Sequence, residues 1–298
     1  MADINLFSLT NGVTELPSKS VALEKELQTI IEKNMITFFG ITFLKREFAI
    51  SNGRIDSLGL DENYCPVIFE YKRSLNENVI NQGLFYLDWL LDHKADFKLL
   101  VMDTLGLDMA NKIDWSSPCV ICIANDFTKY DEHAVNQMQK NIRLVRYKKF
   151  GDDLLLFEHL NAPNIKPMID EITNPPNKKA GTDKTFLQKF ESAPQNLQNI
   201  YISIKDYIMS LGDDITENQL KDYNAFKKIK NFICGEIYKS CILLHLKISP
   251  DSVELIDGFT RDMRGIGHFG TGDLQIMIKK IEDFEKAKPL IDKAYNEN

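Results

Sequence analysis

Three features of the sequence predict an α/β sandwich followed by a smaller α+β domain. After one amphipathic helix, apolar runs separated by turn residues follow in succession. Helix-periodic segments and short apolar runs then alternate as far as residue 160, an order that packs helices against a sheet. A proline-rich stretch without periodicity comes next, and a second block of helix and strand patterns lies beyond it. The expected organisation is a first domain over 1–160, a linker over 161–195 and a C-terminal domain over 196–298.

Taken in order, SVALEKELQTIIEKNM carries the stripe Leu23, Leu27, Ile30 and Ile31 of the opening helix. ITFLKREFAI, GRIDSLGL and CPVIFEYKR read as consecutive strands, with the DEN turn at 61–63 between the last two. Residues 78–93 form an amphipathic helical pattern, FKLLVMD an apolar strand and VICIAN a buried strand. A helix over 131–140 leads into IRLVRYKKF and DLLLFEHL, which Gly151 and Asp152 divide as a hairpin that extends the sheet. The linker is marked by Pro163, Pro167, Pro175 and Pro176. Past it, LQNIYISIKDYIMSLG reads as an amphipathic helix, NFICGEIYKSCILLHLKI as strands, and the C-terminal end as a helix.

Composition narrows the class. The 298 residues suffice for at least one full core, and a 44% hydrophobic fraction is that of a globular protein. No apolar run approaches the eighteen residues of a membrane span, and MADINLFSLTNGVTEL lacks the basic-then-apolar order of a signal peptide, so a cytoplasmic, membrane-free protein is expected. The net charge of −7 runs against nucleic-acid binding, whose affinity comes from phosphate neutralisation. Lys45, Arg46, Arg54, Lys72 and Arg73, however, gather around one acidic motif. Cys119 and Cys122 form a C-x-x-C on an apolar strand, which sends them to opposite faces, and no second pair completes a zinc set; reduced core cysteines are expected. Tyr201, Tyr207, Phe226, Phe232 and Tyr238 interleave with lysines, and helical spacing favours a core role for them over a stacking surface for single strands.

The chemistry concentrates between residues 52 and 86, in NGRIDSLGLDENYCPVIFEYKRSLNENVINQGLFY. Strand alternation puts Glu70 and Lys72 on one side and Tyr71 on the other. If the two runs pair, Asp56 comes beside Glu70, and two carboxylates with the Tyr71 carbonyl make an oxygen-rich pocket suited to a hard cation such as Mg²⁺ or Mn²⁺. A neighbouring lysine can orient or deprotonate an attacking water. Gln82 and Tyr86, at i and i+4, share a helical face near this motif. The plainer alternative is a solvated strand face with a surface ion pair.

These residues resemble the PD-(D/E)XK nuclease superfamily, and within it the RecB-like and archaeal NucS-like endonuclease domains, over about residues 20–125. The resemblance implies a restriction-endonuclease-like mixed sheet flanked by helices and a Mg²⁺-dependent (or Mn²⁺-dependent) phosphodiesterase acting on nucleic acid, with DNA favoured. It assigns Asp56, Glu70 and the Tyr71 carbonyl to metal, Lys72 to the attacking water, and Gln82 and Tyr86 to orienting the strand. Glu24 on the opening helix would reach metal through water, with Glu26 the alternative. Arg54 and Arg73 are the candidate phosphate contacts, and a homodimer is compatible with the family. Ile55 stands where the family's proline would precede the first aspartate. The alternative function is a catalytically silent protein of the same fold that binds nucleic acid or a protein partner.

In the C-terminal part, RDMRGIGHFGTGD spells G-x-G-x-x-G at Gly265, Gly267 and Gly270. A dinucleotide site needs a strand directly before the glycines and an acidic residue on a later strand, and neither is in place. The segment resembles the domain of unknown function that accompanies predicted nucleases, through Arg261, Asp262, His268, Thr271 and Asp273. Two readings stay open: these residues stitch the loop together, or Thr271 or Asp273 caps the final helix while Arg261 or His268 meets an anion at its N-terminus.

Overall fold

A computed structural model describes residues 4–10, 12–19, 24–72, 79–151, 153–161 and 184–298. The chain divides into two units: Met1–Gly59, Val67–Asn111 and Cys119–Pro163 form the first, and Leu60–Pro66, Lys112–Pro118 and Asn164–Asn298 the second.

In the first unit, β1 (Leu6–Ser8) and β2 (Thr14–Leu16) make a small antiparallel ribbon. Next come β3 (Ser18–Lys19), α1 (Glu24–Lys33), α2 (Met35–Phe39), β4 (Thr42–Ile50), β5 (Gly53–Leu60) and β6 (Pro66–Lys72). They are followed by α3 (Val79–Asp92), α4 (Lys94–Leu105), α5 (Leu107–Ala110), β7 (Cys119–Ala124), α6 (Lys129–Gln137), β8 (Asn141–Phe150) and β9 (Leu154–His159). One mixed sheet collects seven of these strands in the order β3, β8, β7, β6, β5, β4, with β9 also paired to β8. β6, β7 and β8 run parallel, whereas β3 and β9 are antiparallel to β8. Every residue of β7 is buried, which explains its unbroken apolar run: a central parallel strand is covered on both faces.

The two faces are easily told apart. Leu27 and Ile31 of α1 pack with Val67, Phe69 and Tyr71 of β6 and with Cys119, Ile121 and Ile123 of β7. On the other face α3 meets β7, where the thiol of Cys122 points at the Val79 carbonyl, 3.9 Å away. Cys119 and Cys122 therefore lie on opposite faces, and both are buried and outside any disulfide.

FKLLVMD is a correction to the sequence reading: it belongs to helix α4 and is not a strand. Only Phe97 and Val101 of this run are fully buried, an i, i+4 pair, while Leu99 and Met102 are exposed. A short apolar run does not by itself separate a strand from a helix, and here two of its five apolar side chains face out.

The second unit contains α7 (Phe186–Glu191), α8 (Gln195–Met209), β10 (Thr216–Gln219), β11 (Asn224–Lys227), β12 (Asn231–Ile237), β13 (Ile242–Leu246), β14 (Thr260–Asp262), β15 (Leu274–Ile278) and α9 (Ile281–Glu297). The strands form an antiparallel sheet ordered β10, β11, β12, β13, β15, β14. One face of it packs Ile233, Leu244 and Ile276 against Ile204 and Ile208 of α8 and Phe284 and Ile291 of α9. Tyr201, Phe226 and Phe232 are in that core and Tyr207 packs against it, whereas Tyr238 is exposed; Phe226 and Phe232 stand on strands, so helical spacing does not account for their burial. Helix α7 stands inside the stretch read as a linker, with a capping box at Thr185 and Phe186 in the core. The proline-rich 162–183 lie outside the described residues.

Residues 60–66 are tied into this unit by polar bonds. The Asp61 carboxylate accepts the Asn63 and Cys65 amides and pairs with Lys227 at 3.3 Å, and Glu62 pairs with Lys247 at 2.6 Å. Asn63, 2% exposed, accepts from the Tyr223 hydroxyl and the Asn231 amide. Truncating it strands two buried donors, so Asn63→Ala is expected to cost about 2–4 kcal/mol and lower the thermal midpoint; an unchanged melting curve contradicts this account.

The final helix is not capped by Thr271 or Asp273. Asp283 in its first turn accepts the Lys279 and Lys280 amides instead, and Thr271 sits beside Asn231 and Cys234. Asp262 holds Arg264, which also pairs with Asp251, a partner that the loop-stitching reading did not name.

Candidate active site

β5 and β6 are neighbours joined by residues 61–65, a connection too short for a parallel crossover. Their pairing brings Asp56 and Glu70 together through reciprocal bonds. The Tyr71 amide donates to Asp56 Oδ2 at 3.0 Å, and the Asp56 amide donates to Glu70 Oε1 at 3.2 Å. Glu70 lies beside Cys122 in the β6–β7 register, on the face that α3 covers, and is wholly buried at 0% exposure. Its second oxygen, Oε2, has no hydrogen-bond partner among the described residues.

A carboxylate in that position is held at a cost unless something compensates it. Burial, and then the adjacent Asp56 charge, push the Glu70 pKa up to about 9. Asp56 is raised as well by burial, against the opposing pull of the Tyr71 amide and Lys72. Without a cation, at least one of the two carboxyls therefore carries a proton at neutral pH. Lys72 is half-buried at the end of β6, within electrostatic reach of both acids.

Helix α3 supplies the next layer. Gln82 Nε2 donates to the Tyr86 hydroxyl at 2.8 Å, realising the i, i+4 pair of the sequence. Tyr86 is buried, with its ring against Gly53, three residues before Asp56, where an added Cβ would stand 3.0 Å from the ring. The helix approaches β7 closely because Gly83 has no side chain: a Cβ there would lie 2.6 Å from Val120 Cγ1. Gly83→Ala is expected to push α3 off the sheet, destabilising the protein by about 1–3 kcal/mol. Chemical denaturation measures this, and a neutral result would show that β7 can yield.

Helix α1 lies on the Tyr71 face of the sheet, opposite the Glu70 side chain. The residue it sends into the motif is Gln28, which the sequence reading missed. Gln28 Nε2 donates to the Asp56 carbonyl at 2.9 Å and is 3.0 Å from Glu32 Oε1. Ser57 donates to the same Glu32 oxygen at 2.6 Å. Glu32 also pairs with Arg46 at 3.3 Å, so this network fixes the backbone that carries Asp56. The available signal was a glutamine next to Leu27 in the apolar stripe with a glutamate at i+4. Glu24 opens α1, but its side chain lies outside the described residues; Glu26 pairs with Lys149 at 3.8 Å. Arg54 is exposed and pairs with Glu47 at 3.3 Å, and Arg73 lies outside the described residues.

The donor chemistry fits a hard divalent ion: two adjacent carboxylates, one of their oxygens unpartnered, beside backbone carbonyls. Among the described residues no group of three or more His, Cys, Asp or Glu side chains is placed to hold a metal. One or two carboxylates completed by water and phosphate oxygens is the usual arrangement for Mg²⁺.

Residues 187–298 match the family model of a domain of unknown function, DUF5655. Over 98% of its length the chain is similar, at 28% identity, to an uncharacterised protein of Haemophilus influenzae, 99% of which is covered. Among solved structures it is similar to a complex of EndoMS with double-stranded DNA, at 22% identity and TM-score 0.29, over 43% of this chain and 47% of that one. It is also similar to a repair endonuclease from Pyrococcus abyssi, at 18% identity and TM-score 0.29, over 44% and 50%. The chain spans about half the length of those solved structures.

Proposed function

We propose that the first unit is a divalent-metal-dependent nuclease that hydrolyses phosphodiester bonds of nucleic acid, with DNA favoured over RNA. The observation that supports this reading is the Asp56–Glu70 pair, in which Glu70 is wholly buried with one oxygen unpartnered among the described residues, on a strand that also carries Lys72. Asp56, Glu70 and the Tyr71 carbonyl would hold Mg²⁺ or Mn²⁺, and Glu24 would reach it through water. When bound, the ion supplies positive charge to the scissile phosphate and acidifies a water molecule. Lys72, as an ammonium, would donate a hydrogen bond that orients that water. Gln82 and Tyr86 act as a hydrogen-bonded unit that positions the strand, and Arg54 and Arg73 neutralise flanking phosphates. Gln28 keeps the Asp56 backbone in place.

A second reading, a catalytically silent protein of this fold that binds nucleic acid or a partner protein, draws support from the net charge of −7. One experiment separates the two. The protein is incubated with single-stranded, duplex and forked DNA and with RNA, with and without Mg²⁺ or Mn²⁺. Ion-dependent cleavage of any of these supports the nuclease. Binding without cleavage under both ions supports the silent protein.

A further inference from the structure

The face of the C-terminal sheet turned away from α8 and α9 carries a row of buried polar side chains. β12 contributes Cys234 and Glu236, β13 His245 and β15 Gln275, and the register sets Cys234 against His245 and His245 against Gln275. Glu236 is 2% exposed and His245 1%. The glycine loop over 265–272 roofs this row. A Cβ on Gly270, at φ 76°, would come within 2.6 Å of Cys234, and one on Gly272, at φ 130°, within 2.8 Å of the β13 backbone. The glycines thus serve a close approach of loop to sheet. That approach sets the His268 ring 4.4 Å from the His245 ring.

The row is only partly satisfied. Gln275 is 3.0 Å from His245 Nε2, whereas His245 Nδ1 stands 3.7 Å from Glu236 and has no hydrogen-bond partner among the described residues. His268 Nε2 is likewise buried and unpartnered among them. Burial pushes the His245 pKa down to about 4, so the ring is neutral at pH 7.

A pocket of about 440 Å³, the size of a small-ligand site, opens beside this row. Tyr238 forms one wall, its hydroxyl donating to Glu236. Phe269, next to His268, forms another; it is 45% exposed and stacks on Tyr223. Lys189 sits 5.4 Å from the Tyr238 ring and 5.3 Å from the Phe269 ring, and Lys184 and Lys239 also line the pocket against a single carboxylate, Asp222. Three ammonium groups favour an anion, and an exposed aromatic face favours a planar ring.

We propose that this pocket binds a nucleoside monophosphate group, its base on Phe269 and its phosphate on Lys184, Lys189 and Lys239. The group is presented either by a free nucleotide or by the phosphorylated end of a strand. The site is separate from the carboxylate pair of the first unit and requires no divalent ion.

The full-length protein is titrated calorimetrically in EDTA with deoxyadenosine monophosphate, deoxyadenosine, inorganic phosphate and a short 5′-phosphorylated single strand. The expected result is saturable binding of the nucleotide, with the nucleoside and phosphate each at least about tenfold weaker. Phe269→Ala and Lys189→Met should each weaken nucleotide binding about tenfold, and Phe269→Tyr should retain it. Tighter binding of the strand than of the nucleotide assigns the site to strand ends, and equal binding assigns it to free nucleotide. No nucleotide uptake at millimolar concentration overturns the proposal. So does wild-type affinity in both Phe269→Ala and Lys189→Met, or a nucleoside that binds as tightly as its monophosphate. Because EDTA keeps the first unit free of divalent ions, these outcomes are independent of whether that unit cleaves.

Discussion

Asp56→Asn and Lys72→Met are each expected to lower Mg²⁺-dependent cleavage by about 10³-fold or more while leaving the fold intact. The asparagine is chosen because it can still accept the Tyr71 amide, the bond that Asp56 Oδ2 makes on β6. Alanine would strand that donor and mix a stability cost of about 1–3 kcal/mol into the result. For Lys72 the loss is a positive charge beside the half-buried Asp56 and the buried Glu70, so the variant raises their proton affinity further as well as removing the group that orients water. Gel-based cleavage of the preferred substrate, with circular dichroism as the folding control, reads both effects. Cleavage at wild-type level in either variant removes the basis for the assigned roles.

The second large effect is a coupling between ions and protons. Burial and the Asp56 charge disfavour the Glu70 anion in the ion-free protein and push its pKa from the ordinary glutamate value of 4.5 up to about 9. Between those two pH values the folded protein holds a proton that the unfolded chain has lost. The stability of the ion-free protein therefore falls as pH rises through that window. A divalent ion has to displace the same proton, so its affinity should increase about tenfold per pH unit up to about pH 9, with close to one proton released. Titration calorimetry with Mn²⁺ in two buffers of different ionisation enthalpy measures the release directly. Glu70→Gln should abolish the release and flatten the decline of stability with pH. A pH-independent affinity would mean that the ion does not reach Glu70.

Much of the first unit was legible because its signals are local. The apolar runs of β5, β6 and β7 are set by burial of those strands, and the alternation that puts Glu70 opposite Tyr71 follows from the two-residue period of a strand. The Gln82–Tyr86 bond is equally local, a consequence of helical spacing. FKLLVMD was misread because its composition suits either element, and what decides is which of its residues find a core. Gln28 escaped for a related reason. Its partner is the carbonyl of a residue twenty-eight positions away, and the α1 pattern offers only its place beside Leu27 with a glutamate at i+4.

The sequence by itself determined the fold class, the strand bearing Glu70 and Lys72, and the glycine pattern of the C-terminal loop. All of these depend on residue type and short-range periodicity. Tertiary structure alone decided that the Asp56 and Glu70 carboxyls accept backbone bonds across β5 and β6, that Gln28 is bonded to the Asp56 backbone, and that the glycine loop roofs Cys234 and His245. Those outcomes depend on strand order and on close approach between distant segments. Such contacts are fixed by packing and hydrogen-bond satisfaction across the whole unit, quantities that no local window of sequence contains.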